Sequence, residues 1–178
     1  MQIVITGGAG FLGVRLARTL LAQGQLSLAG ATPQAISKIT LVDRAAPPAD
    51  LLADRRIAAL TGDLNSLLEK NNPISLVVSG STAIIFHLAA AVSGECEADI
   101  DVGLRANLDT TRALLDACCA LKRVPRLVFS SSLAVYGGDM PQVIADNTLP
   151  MPQNSYGTQK FVCEQLIADY TRDRKSVV

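Results

Sequence analysis

The chain has 178 residues, of which 49% are hydrophobic and 18% charged, which is enough for one globular domain with a sizeable core. Sixteen basic residues balance sixteen acidic ones without a basic run, so a nucleic-acid partner is not expected. One histidine and four cysteines without a C-x-x-C pair argue against a metal site and a disulfide framework, and predict reduced thiols in a cytoplasmic protein.

The N-terminal sequence MQIVITGG predicts a strand over residues 2–6 that runs directly into a glycine turn. It has no basic segment typical of a signal peptide. A helix is predicted over residues 11–24, because leucines recur there at helical spacing and Gly24 can end the helix.

The same alternation continues along the chain. Further strands are predicted at KITLVD (38–43), RIAALTGD (56–63), AIIFHLAA (83–90) and RLVFSSS (126–132). Further helices are predicted at 64–72, where Pro73 follows, and at 102–123 and 155–173, while 29–37 and 45–50 are expected to be surface loops. Apolar strands that alternate with helices are typical of an α/β fold of the Rossmann type, a doubly wound parallel sheet covered on both faces.

Segment 76–92, LVVSGSTAIIFHLAAAV, is apolar enough to raise the question of a membrane span. It is shorter than the ~18–20 clean apolar residues that a span requires, and Ser-Gly-Ser-Thr and His interrupt it. The interpretation is therefore two apolar segments buried in a parallel sheet, with no membrane partner.

The glycine turn reads TGGAGFLG and has glycines at the spacing G-x-x-G-x-x-G. Gly7 permits a tight turn, Gly10 lets a pyrophosphate approach the backbone, and Gly13 lets the helix pack against the sheet. The free N–H groups of the helix start, at Phe11 and Leu12, would attract the phosphates together with the helix dipole. The pattern predicts a dinucleotide site, and the alternative is a glycine-rich turn without a ligand.

Asp43 ends the second predicted strand of the sheet. Its carboxylate can accept both hydroxyls of the adenosine ribose and would repel the 2′-phosphate of NADP. It lies thirty residues after Gly13, and the loop at 24–37 accounts for the excess over the usual ~20. NAD is favoured, although Arg44 could tolerate NADP, and the alternative role for Asp43 is a strand-end cap.

Two further strand ends would lie on the same edge of the sheet. Asp63, with the Leu64 backbone nearby, can reach the adenine amino group, or it can cap the helix that begins at residue 64, and both roles are compatible. The small residues after the fourth strand would border the pyrophosphate and the nicotinamide ribose: Leu88, Ala89 and Ala90. His87, directly before them, is interpreted as a packed core histidine rather than a catalyst.

Tyr156 and Lys160 in YGTQK are four residues apart and would share one helix face. Lys160 can bind the nicotinamide ribose and favour the ionised tyrosine through its charge, while Tyr156 exchanges a proton with a substrate hydroxyl. Ser132, at the end of the fifth predicted strand, can hold the same substrate oxygen. The alternative is an accidental pair on a helix surface.

The segments TGGAGFLG, GDL, HLAA, FSSSLAVYG and SYGTQK resemble the extended short-chain dehydrogenase/reductase family, the NAD-dependent epimerase/dehydratase group, over nearly the whole chain. The resemblance implies an NAD-dependent oxidoreductase whose catalytic residues are Ser132, Tyr156 and Lys160, with Ser131 as the second candidate for the serine. It also implies that Asn107 helps to organise the active-site helix and contributes to the cofactor site, and the alternative is an asparagine on the helix surface.

Segments 89–118 and 135–160 resemble a subgroup that oxidises the C2 hydroxyl of a four-carbon sugar acid. Related dehydratases have an Asp-Glu pair where Leu133 and Ala134 follow the strand-end serine here, and neither of these side chains transfers a proton. Dehydration is therefore disfavoured. Sugar-nucleotide epimerisation remains an alternative, and so does a nucleotide-binding module without turnover.

Members of this family are longer and continue into a C-terminal substrate domain. The resemblance therefore implies that residues 1–178 are an NAD-binding Rossmann domain from a truncated or fragmentary chain, with strand 126–132 as an open sheet edge. It also implies a homodimer through helices 102–123 and 155–173. The apolar residues expected to supply that interface, although some of them must face the sheet, are Leu104, Leu108, Leu115, Phe161, Leu166 and Tyr170.

Overall fold

A computed structural model describes residues 1–68 and 76–174, and within them seven strands form a five-stranded parallel sheet and a small antiparallel hairpin. The strands are β1 (Gln2–Thr6), β2 (Gln25–Leu26), β3 (Gln34–Ala35), β4 (Lys38–Asp43), β5 (Ile57–Thr61), β6 (Thr82–His87) and β7 (Arg126–Phe129). The sheet order is β5-β4-β1-β6-β7, and β2 pairs with β3. The order changes direction between β1 and β6, which places a crevice at the carboxyl ends of these strands.

Helices connect the strands on both faces of the sheet. They are α1 (Phe11–Gln23), α2 (Ala49–Leu52), α3 (Leu64–Leu68), α4 (Ser93–Ala98), α5 (Ile100–Gly103), α6 (Thr110–Cys119) and α7 (Ser155–Arg174). A π-helical segment, Leu104–Asp109, joins α5 to α6, and a 3-10 turn, Leu133–Val135, follows β7.

Alternating residues of β1 supply two separate cores. Ile3 and Ile5 pack with Leu20 of α1 on one face, while Val4 packs with Leu114 of α6 on the other. Since both faces of the sheet are covered, the strands are apolar throughout. Each fully buried Ile or Leu side chain stabilises the fold by about 1.5–3 kcal/mol. The predicted doubly wound parallel sheet is confirmed.

Several predicted elements differ from the structure at their ends. The predicted strands 56–63, 83–90 and 126–132 end at residues 61, 87 and 129, because the chain leaves the sheet at the residues that line the site. The predicted helix 102–123 begins at Ile100, becomes π-helical and ends at Cys119.

The predicted loops also contain short elements. Strand β3 lies within the predicted loop 29–37, and α2 begins within the predicted turn 45–50. Helix α3 ends at Leu68 in the structure, and the remainder of the predicted helix 64–72, with Pro73, lies outside the described residues. Helix α1 ends as predicted, with Gly24 in the left-handed conformation at φ 67°.

The face formed by α6 and α7 bears on the predicted dimer. The two helices pack against each other on one side of the sheet. Leu115 is completely buried in the core of the subunit and cannot contribute to an interface, so it is one of the residues that face the sheet. Leu166 and Tyr170 are only partly buried against the core, and the Tyr170 hydroxyl donates to Asp116 Oδ1 at 2.7 Å. Strand β7 has only β6 as a sheet neighbour within the described residues, and its Val128 is 44% exposed.

The apolar segment around β6 is accounted for by the sheet. Thr82–His87 forms an inner strand between β1 and β7. In residues 1–68 and 76–174, no helix combines the length and the apolar character needed to cross a membrane. The same residues contain no group of three or more His, Cys, Asp or Glu that could hold a metal ion.

Gly13 determines how closely α1 approaches the turn after β1. A methyl group at Gly13 would lie 2.2 Å from the Gly7 carbonyl oxygen and 2.7 Å from the Gly8 Cα. Both contacts are with backbone, which cannot rotate away as a side chain can. The helix therefore reaches this position only with glycine at residue 13.

Gly13→Ala is expected to lower the free energy of unfolding by more than about 2 kcal/mol, because α1 must move away from the turn. Gly94→Ala is the matched control, since a methyl group at Gly94 meets nothing within 4 Å. Urea denaturation of both variants measures the difference. Equal effects of the two substitutions would contradict this packing argument.

Candidate functional site

A cavity of about 370 Å³ lies at the carboxyl ends of the strands, where the sheet order changes direction. The residues that the sequence predicted for the cofactor and that line this cavity are Gly7, Gly10, Phe11, Leu12, Gly13, Asp43, Asp63, Leu64, Leu88, Ala89 and Ala90. Arg44 also lines it, and Asn107, Tyr156 and Lys160 do not. Six further lining residues were not predicted, because small, strand-end or helix-borne side chains give no distinct pattern in sequence: Val42, Gly62, Ala91, Glu95, Ala106 and Thr110.

The glycine turn forms one wall of the cavity. Gly7 has φ +69°, and its carbonyl accepts the Gly10 N–H at 3.1 Å, which closes the tight turn. A methyl group on Gly7 would lie 2.8 Å from the Ala89 nitrogen, so the turn touches the chain that leaves β6. Since the first N–H groups of α1 have no acceptor within the helix, they remain available to a ligand.

Asp43 stands at the end of β4 and connects two loops. Its Oδ2 accepts the Ala9 N–H at 3.0 Å, and its Oδ1 accepts the Ala45 N–H at 3.1 Å. The strand-end cap weighed from sequence is therefore present. The carboxylate also lines the cavity, so capping does not remove it from the candidate site.

Asp63 has two partners in the structure. Its Oδ1 accepts the Asn65 N–H at 3.0 Å, which caps α3 as the sequence predicted. Its Oδ2 accepts from Arg44 Nη2 at 3.1 Å. This ion pair is exposed and contributes little to stability. The Asp63 carboxylate does place a negative charge next to the Arg44 guanidinium, which would otherwise attract a 2′-phosphate.

Helix α7 brings Tyr156 and Lys160 to one face. Lys160 is 2% exposed, its Nζ donates to the Ser130 carbonyl at 2.9 Å, and it lies 5.7 Å from the centre of the Tyr156 ring. Nζ also lies 4.7 Å from the Phe129 ring centre. Burial lowers the pKa of the Lys160 ammonium, and the nearby thiols of Cys163 and Cys96 act in the opposite direction.

The serines after β7 have different partners. Ser130 Oγ donates to the His87 carbonyl at 3.3 Å, and Ser131 Oγ donates to Glu164 on α7. Ser132 Oγ accepts the Ala134 N–H at 3.1 Å and so caps the 3-10 turn. The choice between Ser132 and Ser131 as the catalytic serine stays a prediction.

The 3-10 turn after Ser132 lies directly against α7. A methyl group at Gly157 would be 2.0 Å from the Ala134 carbonyl oxygen, so only glycine permits this approach. Gly157 follows Tyr156 in the helix, and Ala134 follows Ser132 by two residues. Gly157 in YGTQK therefore allows the 3-10 turn after Ser132 to pack against α7, the helix that carries Tyr156.

Asn107 lies in the π-helical segment and is 3% exposed, so the alternative of a helix-surface asparagine is wrong. Its Oδ1 accepts the Ala91 N–H at 2.8 Å, and its Nδ2 donates to Gln159 Oε1 at 2.7 Å. The amide therefore links the chain after β6 to the helix of Tyr156 and Lys160. Gln159 was missed from sequence, because a glutamine next to a lysine on a helix is ordinary at the surface.

His87 is buried, as predicted, and is 1% exposed. Its Nδ1 lies 2.7 Å from Thr6 Oγ1, and its Nε2 lies 3.0 Å from Thr111 Oγ1. Burial, and then the charge of Lys160, lower the pKa of His87 to about 3. The imidazole is therefore neutral at physiological pH.

Comparisons with known proteins agree with this geometry. The model of the "NAD dependent epimerase/dehydratase family" matches residues 3–178. D-erythronate dehydrogenases of Cupriavidus necator and Haemophilus influenzae are 49% and 42% identical to the chain, each over 97% of it. The chain spans about half of their length, 51% and 50%.

Solved structures show the same fold. The crystal structure of a nucleoside-diphosphate-sugar epimerase from Agrobacterium tumefaciens has a TM-score of 0.83 and 40% identity, and it covers 98% of this chain and 49% of that one. The complex of MoeE5 with UDP-glucuronic acid and NAD has a TM-score of 0.77 and 29% identity, with 96% of this chain and 50% of that one covered.

The neutral state of His87 predicts a pH dependence of stability. Its pKa rises from about 3 in the folded state to about 6.5 on unfolding, so the unfolded state binds the additional proton below about pH 6.5. The contribution of neutral His87 to the free energy of unfolding is therefore fully present above about pH 6.5 and is lost progressively as the pH falls toward 3. When the pH is lowered from about 7 to about 5, titration of His87 should reduce the free energy of unfolding by about 2 kcal/mol.

Urea denaturation of the unaltered chain and of His87→Gln at both pH values measures this contribution. The variant removes the titrating group, so its stability should change less with pH by about that amount. Equal pH dependence in the two proteins would show that His87 is not held neutral.

Proposed function

We propose that this chain, which belongs to the NAD dependent epimerase/dehydratase family, is the cofactor-binding part of a dehydrogenase that oxidises a secondary hydroxyl of a small sugar acid. The observation that carries the proposal is the arrangement of one cavity for a dinucleotide beside one helix with Tyr156 and a buried Lys160. The two D-erythronate dehydrogenases support a D-erythronate-like substrate. Oxidation at C2 is proposed from the resemblance of segments 89–118 and 135–160 alone.

The residues of the cavity fit NAD. Gly7 and Gly13 bring backbone close to backbone, so the glycine turn can present backbone N–H groups to the pyrophosphate. Asp43 would accept the adenosine ribose hydroxyls, and the backbone at Leu88–Ala90 would border the nicotinamide ribose. When bound, NAD supplies the acceptor for the hydride that leaves the substrate carbon.

Residues of this chain would accept the proton that leaves the substrate hydroxyl. Tyr156 accepts the proton of the substrate hydroxyl, and Ser132 holds the same oxygen as charge develops on it. Lys160, fixed by the Ser130 carbonyl, places a positive charge beside the tyrosine ring. Ser131 is the less favoured serine, because its hydroxyl already donates to Glu164.

A sugar-nucleotide epimerase is the second candidate. The Agrobacterium tumefaciens structure supports it, and so does a UDP-glucose 4-epimerase of Corynebacterium glutamicum, which is 29% identical over 96% of the chain. Epimerisation returns the hydride and leaves no net NADH, whereas oxidation of a sugar acid accumulates NADH. Absorbance of NADH with D-erythronate therefore distinguishes the two functions.

We also infer a homodimer through α6 and α7. Leu104 is partly exposed at the start of this face, and Leu166 and Tyr170 remain only partly covered by the subunit's own core. Light scattering at micromolar concentration is expected to give twice the monomer mass. A monomer mass would remove the dimer without affecting the cofactor assignment.

Asp43→Ala is expected to weaken NAD binding by about 10- to 150-fold, because a charge-assisted contact worth roughly 1.5–3 kcal/mol is lost. NADP binding should change far less, since the carboxylate repels its 2′-phosphate. Calorimetric titration with both cofactors measures this.

Asp43→Asn is the matched control, because it keeps one oxygen acceptor for the loop N–H groups at Ala9 or Ala45 and removes the charge. Asp63→Asn keeps an oxygen for the α3 cap and frees Arg44, so NADP affinity should rise. Equal NAD and NADP affinities in the unaltered chain would contradict the NAD assignment.

Tyr156→Phe should reduce turnover by about 10²–10⁴-fold and leave NAD affinity nearly unchanged, because only the proton-carrying oxygen is removed. Lys160→Met should reduce both, because it removes the charge beside the ring and the proposed ribose contact. NADH formation is measured in a version joined to the C-terminal half of the Cupriavidus necator relative. Unchanged turnover in Tyr156→Phe would show that the pair is a surface coincidence.

A further inference from the structure

A line of buried hydrogen bonds runs beneath the cofactor cavity, and His87 is at its centre. The imidazole joins Thr6, the last residue of β1, to Thr111 in the first turn of α6. All three side chains are at least 97% buried. None of the three lines the cavity, so the proposed chemistry does not account for them.

The partners of Thr6 determine which ring nitrogen carries the proton. Thr6 Oγ1 accepts two backbone N–H groups, from Leu88 and Ala89, each at 3.2 Å. A hydroxyl oxygen has two lone pairs and one proton, so the Thr6 proton remains for His87 Nδ1. Nδ1 is therefore the acceptor.

The hydrogen bonds on the Nε2 side of the ring indicate the same tautomer. The Thr111 hydroxyl donates its only proton to the Asn107 carbonyl at 2.6 Å. Its oxygen can then only accept from His87, so Nε2 must carry the proton. Both ends of the line select one neutral form, the Nε2–H tautomer.

The Thr6 end of the line touches the wall of the cavity. Thr6 holds the N–H groups of Leu88 and Ala89, and these residues line the cavity. Gly7, which follows Thr6, lies so close to Ala89 that a methyl group on Gly7 would be 2.8 Å from the Ala89 nitrogen. The Leu88 N–H also bonds to the Thr6 backbone carbonyl at 3.1 Å, so the orientation of the hydroxyl bears chiefly on how Ala89 lies against the glycine turn.

We propose that His87 is a positioning residue for the cofactor cavity: its Nε2–H tautomer orients the Thr6 hydroxyl, which holds Leu88 and Ala89 against the glycine turn. The inference rests on the proposed NAD site, but it concerns the wall of that site and not the chemistry. The bond to Thr111 anchors the ring to α6 and has no direct part in shaping the wall.

The tautomer is measured by long-range ¹H–¹⁵N correlation NMR. His87 is the only histidine in the chain, so its ring signals need no assignment by mutation. A single Nε2–H tautomer that does not titrate between about pH 5 and pH 8 is expected. An Nδ1–H tautomer, or an imidazole that titrates in this range, would overturn the inference.

Two substitutions separate the two ends of the ring. His87→Asn can place an oxygen acceptor near the Nδ1 position and so keep the bond from Thr6. His87→Gln can place an amide donor near Nε2 and so keep the bond to Thr111. We expect the asparagine variant to retain NAD affinity within about 3-fold and the glutamine variant to lose about 10-fold, one contact worth about 1.4 kcal/mol.

Thr111→Val keeps His87 and removes only the far bond, so its NAD affinity should resemble that of His87→Asn. Each variant is measured at a temperature at which it is fully folded, because a role in stability alone would reduce affinity in step with unfolding. Equal NAD affinity in the asparagine and glutamine variants, or loss in Thr111→Val as large as in His87→Gln, would overturn the inference.

Amide hydrogen exchange keeps this test separate from the proposed function. His87→Gln should speed exchange at Ala89, and to a smaller extent at Leu88, whose N–H also bonds to the Thr6 carbonyl; His87→Asn should not, whether or not NAD binds. An unaltered chain without NAD affinity would contradict the proposed function, and the exchange rates would still decide the role of His87. Equal exchange at these two amides in all variants would overturn it.

Discussion

The close approach of two backbones at the ends of β1 and β6 is the constraint on which the rest of the site depends. Gly7 lies so near Ala89 that no side chain fits between them, and Gly13 brings α1 equally close to the same turn. At these contacts the cavity is bordered by backbone, whose N–H groups can serve as donors to a phosphate. Side chains in this wall would occupy the space that a pyrophosphate needs.

A buried polar framework holds this wall and the helix of the candidate catalytic residues in one unit. Asn107 connects Ala91 to Gln159, and the His87 carbonyl accepts from Ser130, whose own carbonyl receives Lys160. Burying the Lys160 charge costs free energy, which the carbonyl and the Phe129 ring offset in part. A buried cation beside a tyrosine is poorly suited to stability alone, and this favours a functional role.

The sequence predicted what periodicity and glycine spacing encode. The strand–turn–helix unit at TGGAGFLG, the parallel sheet and the Tyr156–Lys160 helix were all predicted, because apolar spacing and glycine have direct geometric consequences. The π-helical segment was not, since it follows from the bonds that Asn107 makes with residues distant in sequence. Gln159 and Thr111 were missed for the same reason. Spacing also did not tell which apolar residues of the two helices face the sheet, and the structure shows that Leu115 is one of them.

The location of the buried hydrogen bonds suggests how cofactor binding and substrate recognition can be separated within such a protein. The hydrogen bonds that position the cavity wall, Asn107 and Lys160 all lie within the described residues, so the candidate cofactor cavity and the proposed proton-transfer residues share one framework. The residues that would distinguish a free sugar acid from a sugar nucleotide need not belong to it. Relatives with different substrates, D-erythronate dehydrogenases and UDP-glucose 4-epimerases, match the same stretch of chain. A shared framework of this kind would allow substrate preference to change elsewhere in the protein without a change in the candidate cofactor site.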